Sequence, residues 1–183
     1  MTKFIALLRA INVGGHTVKM DRLRELFGSL GHCNVQTFIA SGNVIFESSA
    51  RSAPALERKL EMHLLASLGY DVATFVRSTA ELRQIAGHQP YSEKDLSAKD
   101  ASLYIAFLQA EPTAASVEQL LRFRTPTDDF AVHGREVYWL CRTRFSESSF
   151  SGAMLEKTLK LPTTIRNVTT VRKLAAKHCA ASP

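Results

Sequence analysis

The order of hydrophobic patterns along this chain occurs twice, and this repeat limits the folds that the chain can adopt. Each half begins with a nearly continuous apolar run, residues 4–8 and 103–108, as expected for a strand buried on both faces. An amphipathic helical stripe, two β-rich runs, a second helical stripe and a short last strand follow in each half. The order strand, helix, strand, strand, helix, strand is the ferredoxin-like βαββαβ arrangement.

From this repeat we predict an α+β fold of two tandem ferredoxin-like units, each an antiparallel sheet with helices on one face. Unit 1 is predicted over residues 1–87 and unit 2 over residues 101–183. Residues 88–100 are polar, contain Pro90 and show no sustained period, so they are predicted to form a linker. A chain of 183 residues is long enough for two such units.

Helix starts and hairpins are marked by particular residue types. Ser52 is a suitable N-cap for a helix with Pro54 in its first turn, and Asn167 is a suitable N-cap for the final helix. Residues 78–81, STAE, have the spacing of a capping box. Two tight hairpins are predicted, at residues 40–43 and 133–136, because glycine and polar residues separate β-rich runs there.

The charge balance favours an anionic partner. The formal net charge is +6 and the isoelectric point is near 9.4, and a positive field concentrates phosphates and nucleic acids. The 23 basic residues are scattered among 17 acidic ones, without a basic stripe. A small anion is therefore the favoured ligand, and nucleic acid is the less favoured alternative.

Several classes of protein are not indicated. The sequence has neither an apolar run long enough to span a bilayer nor the pattern of a signal peptide, so we expect a cytoplasmic protein without a membrane partner. Cys33, Cys141 and Cys179 are widely separated and form no CxxC pair, and the six histidines have no ligand spacing. We expect no disulfide framework, no metal and no cofactor.

Three stretches carry a family resemblance. Residues 5–15, IALLRAINVGG, with Lys19-Met20, residues 37–44, TFIASGNV, and residues 164–174, TIRNVTTVRKL, resemble motifs of the bacterial family called domain of unknown function 1697. The similarity runs over nearly the whole chain. Members of that family often carry Gly, Tyr and Gln where this chain has Ala10, Phe38 and Ala40, which argues against a necessary phenol or amide at those places. The resemblance implies the duplicated ferredoxin-like fold and implies no reaction.

The topology predicts where a ligand would bind. In this fold the first and third strands are neighbours, so the glycine turn after the first strand and the first hairpin lie at the same end of the sheet. Backbone N–H groups at Gly-Gly, nearby donors and a helix start suit a phosphate or carboxylate. The candidate ligand-binding residues are Arg9, Asn12, Gly14, Gly15, Lys19, Ser41, Gly42 and Asn43.

These residues also have conformational explanations. The two glycines can simply make a sharp turn, and Asn43 can serve the geometry of the hairpin. A secondary candidate site consists of Arg166 and Asn167, for which the favoured explanation is an N-cap beside an exposed arginine.

The motifs assign no catalytic residue. The chain lacks a G-x-S-x-G elbow, an H-E-x-x-H motif and a cysteine with an identifiable histidine partner, so enzymatic activity is undecided. The favoured function is that of a cytosolic binding protein or enzyme acting on a small phosphate-bearing ligand. The alternatives are a nucleic-acid-binding protein with a basic surface and a purely structural interaction module. The oligomeric state is not predicted.

Overall fold

A computed structural model describes residues 1–12, 15–39 and 42–179. The Cα positions divide the chain into two units. Unit 1 is Met1–Gln84 together with the C-terminal stretch from Leu174, and unit 2 is Ile85–Lys173.

Unit 1 is built around a four-stranded antiparallel sheet in the order β2-β3-β1-β4. Its elements, in chain order, are β1 (Thr2–Leu8), α1 (Met20–Ser29), β2 (Cys33–Phe38), β3 (Asn43–Ser48), α2 (Ala53–Leu68), β4 (Thr74–Ser78) and α3 (Thr79–Gly87), the last of which contains the boundary with unit 2. This strand order is that of a ferredoxin-like βαββαβ unit.

The core of unit 1 is formed by alternate residues of a strand and by helix residues spaced three or four apart. Phe4, Ala6 and Leu8 alternate along β1 and pack in one cluster with apolar residues of α1 and α2. The helical members of this cluster are Leu23, Leu26, Phe27, Leu56, Leu60 and Leu64. The helix α2 begins where its sequence predicts, because the Ser52 side chain accepts a hydrogen bond from the Ala55 N–H, and it ends at Gly69 with φ +80°.

Glutamates cover the outer edge of β4, which is an edge strand of its sheet. The N–H of Thr74 donates to Glu61 at 2.9 Å, and the N–H of Val76 donates to Glu57 at 2.8 Å. The buried Glu57 also lies 3.8 Å from the guanidinium of Arg77, which is 1% exposed. These carboxylates occupy backbone donors that would otherwise be open for pairing with another strand.

Unit 2 repeats the same sheet order, β6-β7-β5-β8, with every pair antiparallel. Its elements are α4 (Glu93–Leu96), β5 (Ser102–Leu108), α5 (Ala114–Leu121), β6 (Asp128–His133), β7 (Glu136–Cys141), a 3₁₀ turn (Phe145–Glu147), α6 (Gly152–Leu159), β8 (Thr163–Asn167) and α7 (Val168–His178), in which the boundary at Lys173 falls.

The core of unit 2 contains a buried polar anchor. The carboxylate of Asp128, fully buried at the start of β6, accepts hydrogen bonds from the Trp139 indole N–H and from the Ser148 hydroxyl, both at 2.8 Å. Its second oxygen accepts from the Thr127 hydroxyl at 3.0 Å. The anchor fixes the segment before α6 against the sheet, because buried polar groups are costly unless they are paired.

The predicted fold class is confirmed in its layout, with two antiparallel four-stranded sheets and associated helices. The structural division lies at Gln84/Ile85 and assigns residues from Leu174 onward to unit 1, whereas the sequence pattern placed the units at residues 1–87 and 101–183. Residues 88–100, predicted as a linker, contain the one-turn helix α4. None of the helices in the described part of the chain combines the length and apolar character needed to cross a membrane.

Candidate functional site

The glycine turn and the first hairpin of unit 1 meet at one end of the sheet. Leu7 of β1 is paired with Asn43 of β3, and the Leu8 N–H donates to the Gly42 carbonyl oxygen at 2.8 Å. Gly42 is buried with φ +74°, and a Cβ added there would lie 2.7 Å from Ile11 Cγ2. The hairpin therefore packs directly against the segment that leaves β1.

A third connection, between α2 and β4, lies at the same end. The Arg9 N–H donates to the Ala73 carbonyl oxygen at 2.9 Å. The His16 ring stacks on the Tyr70 ring, with centroids 3.8 Å apart and an interplanar angle of 20°. We call this region, formed by residues 9–12, 15–19, 39, 42 and 69–73, the three-loop end.

Arg9, Gly15 and Lys19 lie at the surface of the three-loop end. All three are exposed. Gly15 has φ +88°, and a Cβ added there would have no heavy atom of the described residues within 4 Å. The space beside its backbone is therefore open to a ligand. Gly14 and Ser41 lie outside the described residues.

The two asparagines of the predicted site hold the loops in shape. The Asn12 side-chain oxygen accepts a hydrogen bond from the Val18 N–H at 2.8 Å, which closes the turn before α1. Asn43 is fully buried, and its amide donates to the Phe38 carbonyl oxygen at 3.0 Å across the hairpin. Of the two roles that the sequence offered for Asn43, a donor to a ligand and a support of the hairpin, its burial and this bond favour the second.

The start of α1 lies in the three-loop end. Lys19 is its N-cap residue, and among the described residues no side chain caps the helix there. In contrast, Ser52, Thr113 and Ser151 each accept a hydrogen bond from the first turn of their own helices. The first turn of α1 thus presents N–H groups without a side-chain acceptor, and the helix dipole favours negative charge at that place.

Acidic groups also occur near this end. Asp21, in the first turn of α1, forms an ion pair with Arg24. Asp71 is exposed in the connection between α2 and β4. Because the connection between α2 and β4 reaches this end of the sheet, Asp71 belongs to the three-loop end although it lies far from Arg9 and Lys19 in the sequence.

In unit 2 the connections at the equivalent end of the sheet are shorter. The Leu108 N–H donates to the Arg135 carbonyl oxygen at 2.9 Å, as Leu8 does to Gly42. The connection from β5 to α5 spans residues 109–113, whereas that from β1 to α1 spans residues 9–19. The second hairpin has only residues 134–135 between its strands, whereas the first has residues 39–42.

Of the secondary candidates, Asn167 has the predicted capping role and Arg166 differs from its prediction. The Asn167 side chain accepts from the Thr169 N–H at 2.8 Å and borders a cleft of about 230 Å³. Arg166 is partly buried, not exposed, and donates to the Thr164 hydroxyl at 2.8 Å and the Ile165 carbonyl at 2.9 Å. Burial lowers the pKa of its guanidinium to about 10.

Tyr70 also lies at the three-loop end, although the sequence predicted no role for it. It is partly buried against the core of unit 1 and supports His16. The same topological argument that placed the first hairpin also predicts that the connection from α2 to β4 reaches this end. Tyr70 directly follows Gly69, the C-cap of α2, so the predicted helix end at Gly69 indicates that Tyr70 begins this connection.

Among the described residues, no group of three or more His, Cys, Asp or Glu side chains is arranged to hold a metal ion.

The fold and this end define a class: a protein of two ferredoxin-like units in which the first unit has enlarged loops beside an uncapped helix start. The chain belongs to the family described as Protein of unknown function (DUF1697), whose model matches residues 1–138.

A solved structure and the curated proteins extend this comparison. The chain is similar to the conserved bacterial protein SP0830 from Streptococcus pneumoniae, with 26% identity, a TM-score of 0.70, and coverage of 97% of this chain and 98% of that one. None of the curated proteins gives a significant match.

Proposed function

We propose that this protein binds a small phosphate-bearing ligand at the three-loop end of unit 1. The observation that carries the proposal is the pair of backbone hydrogen bonds from Leu8 to Gly42 and from Arg9 to Ala73, because they bring three connections together. The cations Arg9 and Lys19 are exposed in this region, and Gly15 of the same connection is also exposed. Phosphate sites in proteins typically combine side-chain hydrogen-bond donors with exposed backbone N–H groups.

The comparison of the two units supports a role beyond folding. Unit 2 forms the same sheet with shorter connections at the equivalent end, so the βαββαβ fold does not require the long loop of residues 9–19 or the long hairpin of residues 39–42. Functional residues are often found on loops that a rigid scaffold positions. The additional chain in unit 1 is where we place the ligand.

A thermal melting series at constant ionic strength tests the proposal. The probes are inorganic phosphate, pyrophosphate, sulfate, sugar phosphates and nucleoside monophosphates, with sodium chloride as the reference. A ligand at 100 times its Kd stabilises the native state by about 2.7 kcal/mol. For a chain of this size, we expect Tm to rise by roughly 5–10 °C. An unchanged Tm with every phosphate compound would reject the proposal.

Matched variants locate the site. Arg9→Ala and Lys19→Ala should each reduce the ligand-induced shift while leaving the Tm of the free protein within about 2 °C, since substitutions at exposed positions usually cost little. Lys157→Ala removes an exposed cation from α6 of unit 2 and serves as the charge control. A full shift in Arg9→Ala, or an equal loss in Lys157→Ala, would place the ligand elsewhere.

Nucleic acid remains the alternative partner, and the same preparation distinguishes it. Gel shifts with single- and double-stranded oligonucleotides at increasing salt should show affinity falling steeply if phosphates of a polymer are bound. If neither oligonucleotides nor small anions bind, a purely structural interaction module is the alternative to pursue. We assign no catalytic residue, and the cytoplasmic location remains part of the proposal.

A further inference from the structure

We propose that the ligand of the three-loop end is a nucleotide whose base stacks on the ring of His16. This inference rests on the proposed function, since the phosphate of the nucleotide would occupy the same end. The stack of His16 on Tyr70 is its geometric basis, with 3.8 Å between centroids and 20° between planes.

The core of unit 1 holds the ring of Tyr70 in place, so the stacked rings form a supported surface, which we call the platform. Tyr70 packs against the core of unit 1, directly after the C-cap Gly69, whose N–H donates to the Leu65 carbonyl oxygen at 2.9 Å. His16 lies against this ring and is itself exposed. One face of the imidazole thus has an aromatic support, and its exposure leaves room for a second ring. An aromatic base can stack there without a new cavity.

The platform lies at a suitable distance from the proposed phosphate position. His16 directly follows Gly15, whose φ of +88° and open surroundings mark the bare backbone. Lys19 is three residues further on, so at roughly 3.5 Å per residue the two Cα atoms are within about 10 Å of each other. The separation between a base and its 5′-phosphate in a nucleotide lies within this limit. The arrangement therefore places a base surface and an anion surface on one loop.

In unit 2 the connection that corresponds to residues 9–19 has neither feature, although the equivalent hairpin contains Arg135 and the neighbouring His133 stacks on His88. The connection from β5 to α5, residues 109–113, contains no aromatic residue and no cation. The platform and the cations thus occur together, in the longer loop. This association favours one ligand that uses both over two independent roles.

Calorimetric titrations of the full chain test the inference, with the four ribonucleoside monophosphates, ribose 5-phosphate and inorganic phosphate as probes at one ionic strength. Stacking of one base on an aromatic ring makes binding roughly 5- to 150-fold tighter. We expect the best nucleotide to exceed ribose 5-phosphate by a factor in this range. His16→Ala should remove that excess and leave ribose 5-phosphate unaffected, whereas His16→Phe should retain it.

The outcomes separate the two proposals. Equal affinities of the wild type for ribose 5-phosphate and for all four nucleotides would overturn the stacking inference and leave phosphate binding intact. Failure of every phosphate compound to bind would overturn both. A nuclear Overhauser contact between base protons and the His16 ring would support the stack directly. A nucleotide preference that survives in His16→Ala would refute the role of His16, provided that the variant melts like the wild type.

Discussion

The N–H of Leu8 donates a hydrogen bond to the carbonyl oxygen of Gly42 across 2.8 Å. This bond continues the ladder between β1 and β3 one step beyond the pair of Leu7 and Asn43. It leaves no room for a side chain at position 42, since a Cβ would lie 2.7 Å from Ile11 Cγ2 and 3.1 Å from Leu8 Cβ. The contact between the two loops thus depends on glycine.

Gly42→Ala should therefore destabilise the protein. The left-handed φ of +74° costs a non-glycine residue about 1–2 kcal/mol, and the overpacking against Ile11 adds about 1–3 kcal/mol. Gly15→Ala is the matched control, because its φ is +88° but nothing lies within 4 Å of the new Cβ. Urea denaturation should show a clearly larger loss for Gly42→Ala. Equal losses of unfolding free energy would mean that the hairpin does not pack tightly against Ile11.

The anchor at Asp128 gives a second prediction about stability. Asp128→Ala removes the acceptor of the Trp139 indole N–H and leaves this buried donor unpaired, so we expect unfolding to become easier by about 2–5 kcal/mol. Ser148→Ala removes a donor to the same carboxylate and the acceptor of the partly buried Phe150 N–H, and should cost less, about 1–2 kcal/mol. Trp139 is the only tryptophan of the chain, so its fluorescence reports unfolding and the change in its own surroundings.

The order of these effects is the decisive result. If Ser148→Ala costs as much as Asp128→Ala, the Ser148 hydroxyl, which also accepts from the Phe150 N–H, and not the indole is the main support of this network. A small loss in both variants would mean that the buried network contributes little to the stability of unit 2.

Much of this fold follows from local patterns in the sequence. Serine at position 52 caps α2, and the Ser78 hydroxyl and Glu81 carboxylate form the reciprocal bonds of a capping box. The continuous apolar run of β1 predicts a strand buried on both faces, and the leucine spacing in α2 identifies its buried face. The strand order then predicts that the first turn and the first hairpin share one end of the sheet.

The remaining features depend on contacts between residues distant in sequence. Asn43 is a typical turn residue by its neighbours, and only its burial and its bond to Phe38 show that it supports the hairpin. Glu57 lies on a leucine-rich helix, and nothing local indicates that its carboxylate meets the backbone of β4. The stack of Tyr70 on His16 joins positions 54 residues apart, beyond any periodic pattern.

His32 makes stability dependent on pH. It is 7% exposed, its ring lies 4.7 Å from that of Phe46, and its Nε2 has no hydrogen-bond partner in the described part of the chain. Burial, and then the positive charge of Lys59, lower its pKa below the usual 6.5. The unfolded chain therefore takes up a proton as pH falls through about 6.5 while the folded chain resists it, and stability is lost in that direction.

Urea denaturation at pH 8 and pH 5 measures this dependence. His32→Leu should reduce the loss of unfolding free energy between the two pH values, because one buried histidine no longer opposes protonation. Lys59→Gln should reduce it partly, since the repelling charge is removed. His88 and His178 also have lowered pKa values and should account for the remaining loss. An unchanged pH dependence in His32→Leu would show that His32 is not a main contributor.

The last prediction concerns Asp71, whose exposed carboxylate lies in the connection that completes the three-loop end. A carboxylate near a bound phosphate opposes binding by Coulomb repulsion, which in a solvent-exposed setting amounts to only about 0.5 kcal/mol at roughly 8 Å. Asp71→Asn should therefore tighten binding of inorganic phosphate about twofold, and added salt should erase the gain. Asp100→Asn, at an exposed position in unit 2, is the control and should leave the affinity unchanged. Weaker binding in Asp71→Asn would mean that the carboxylate assists the ligand, for example by accepting a hydrogen bond from it. An equal gain in both variants would mean that the overall charge of the protein, and not the three-loop end of unit 1, controls the affinity.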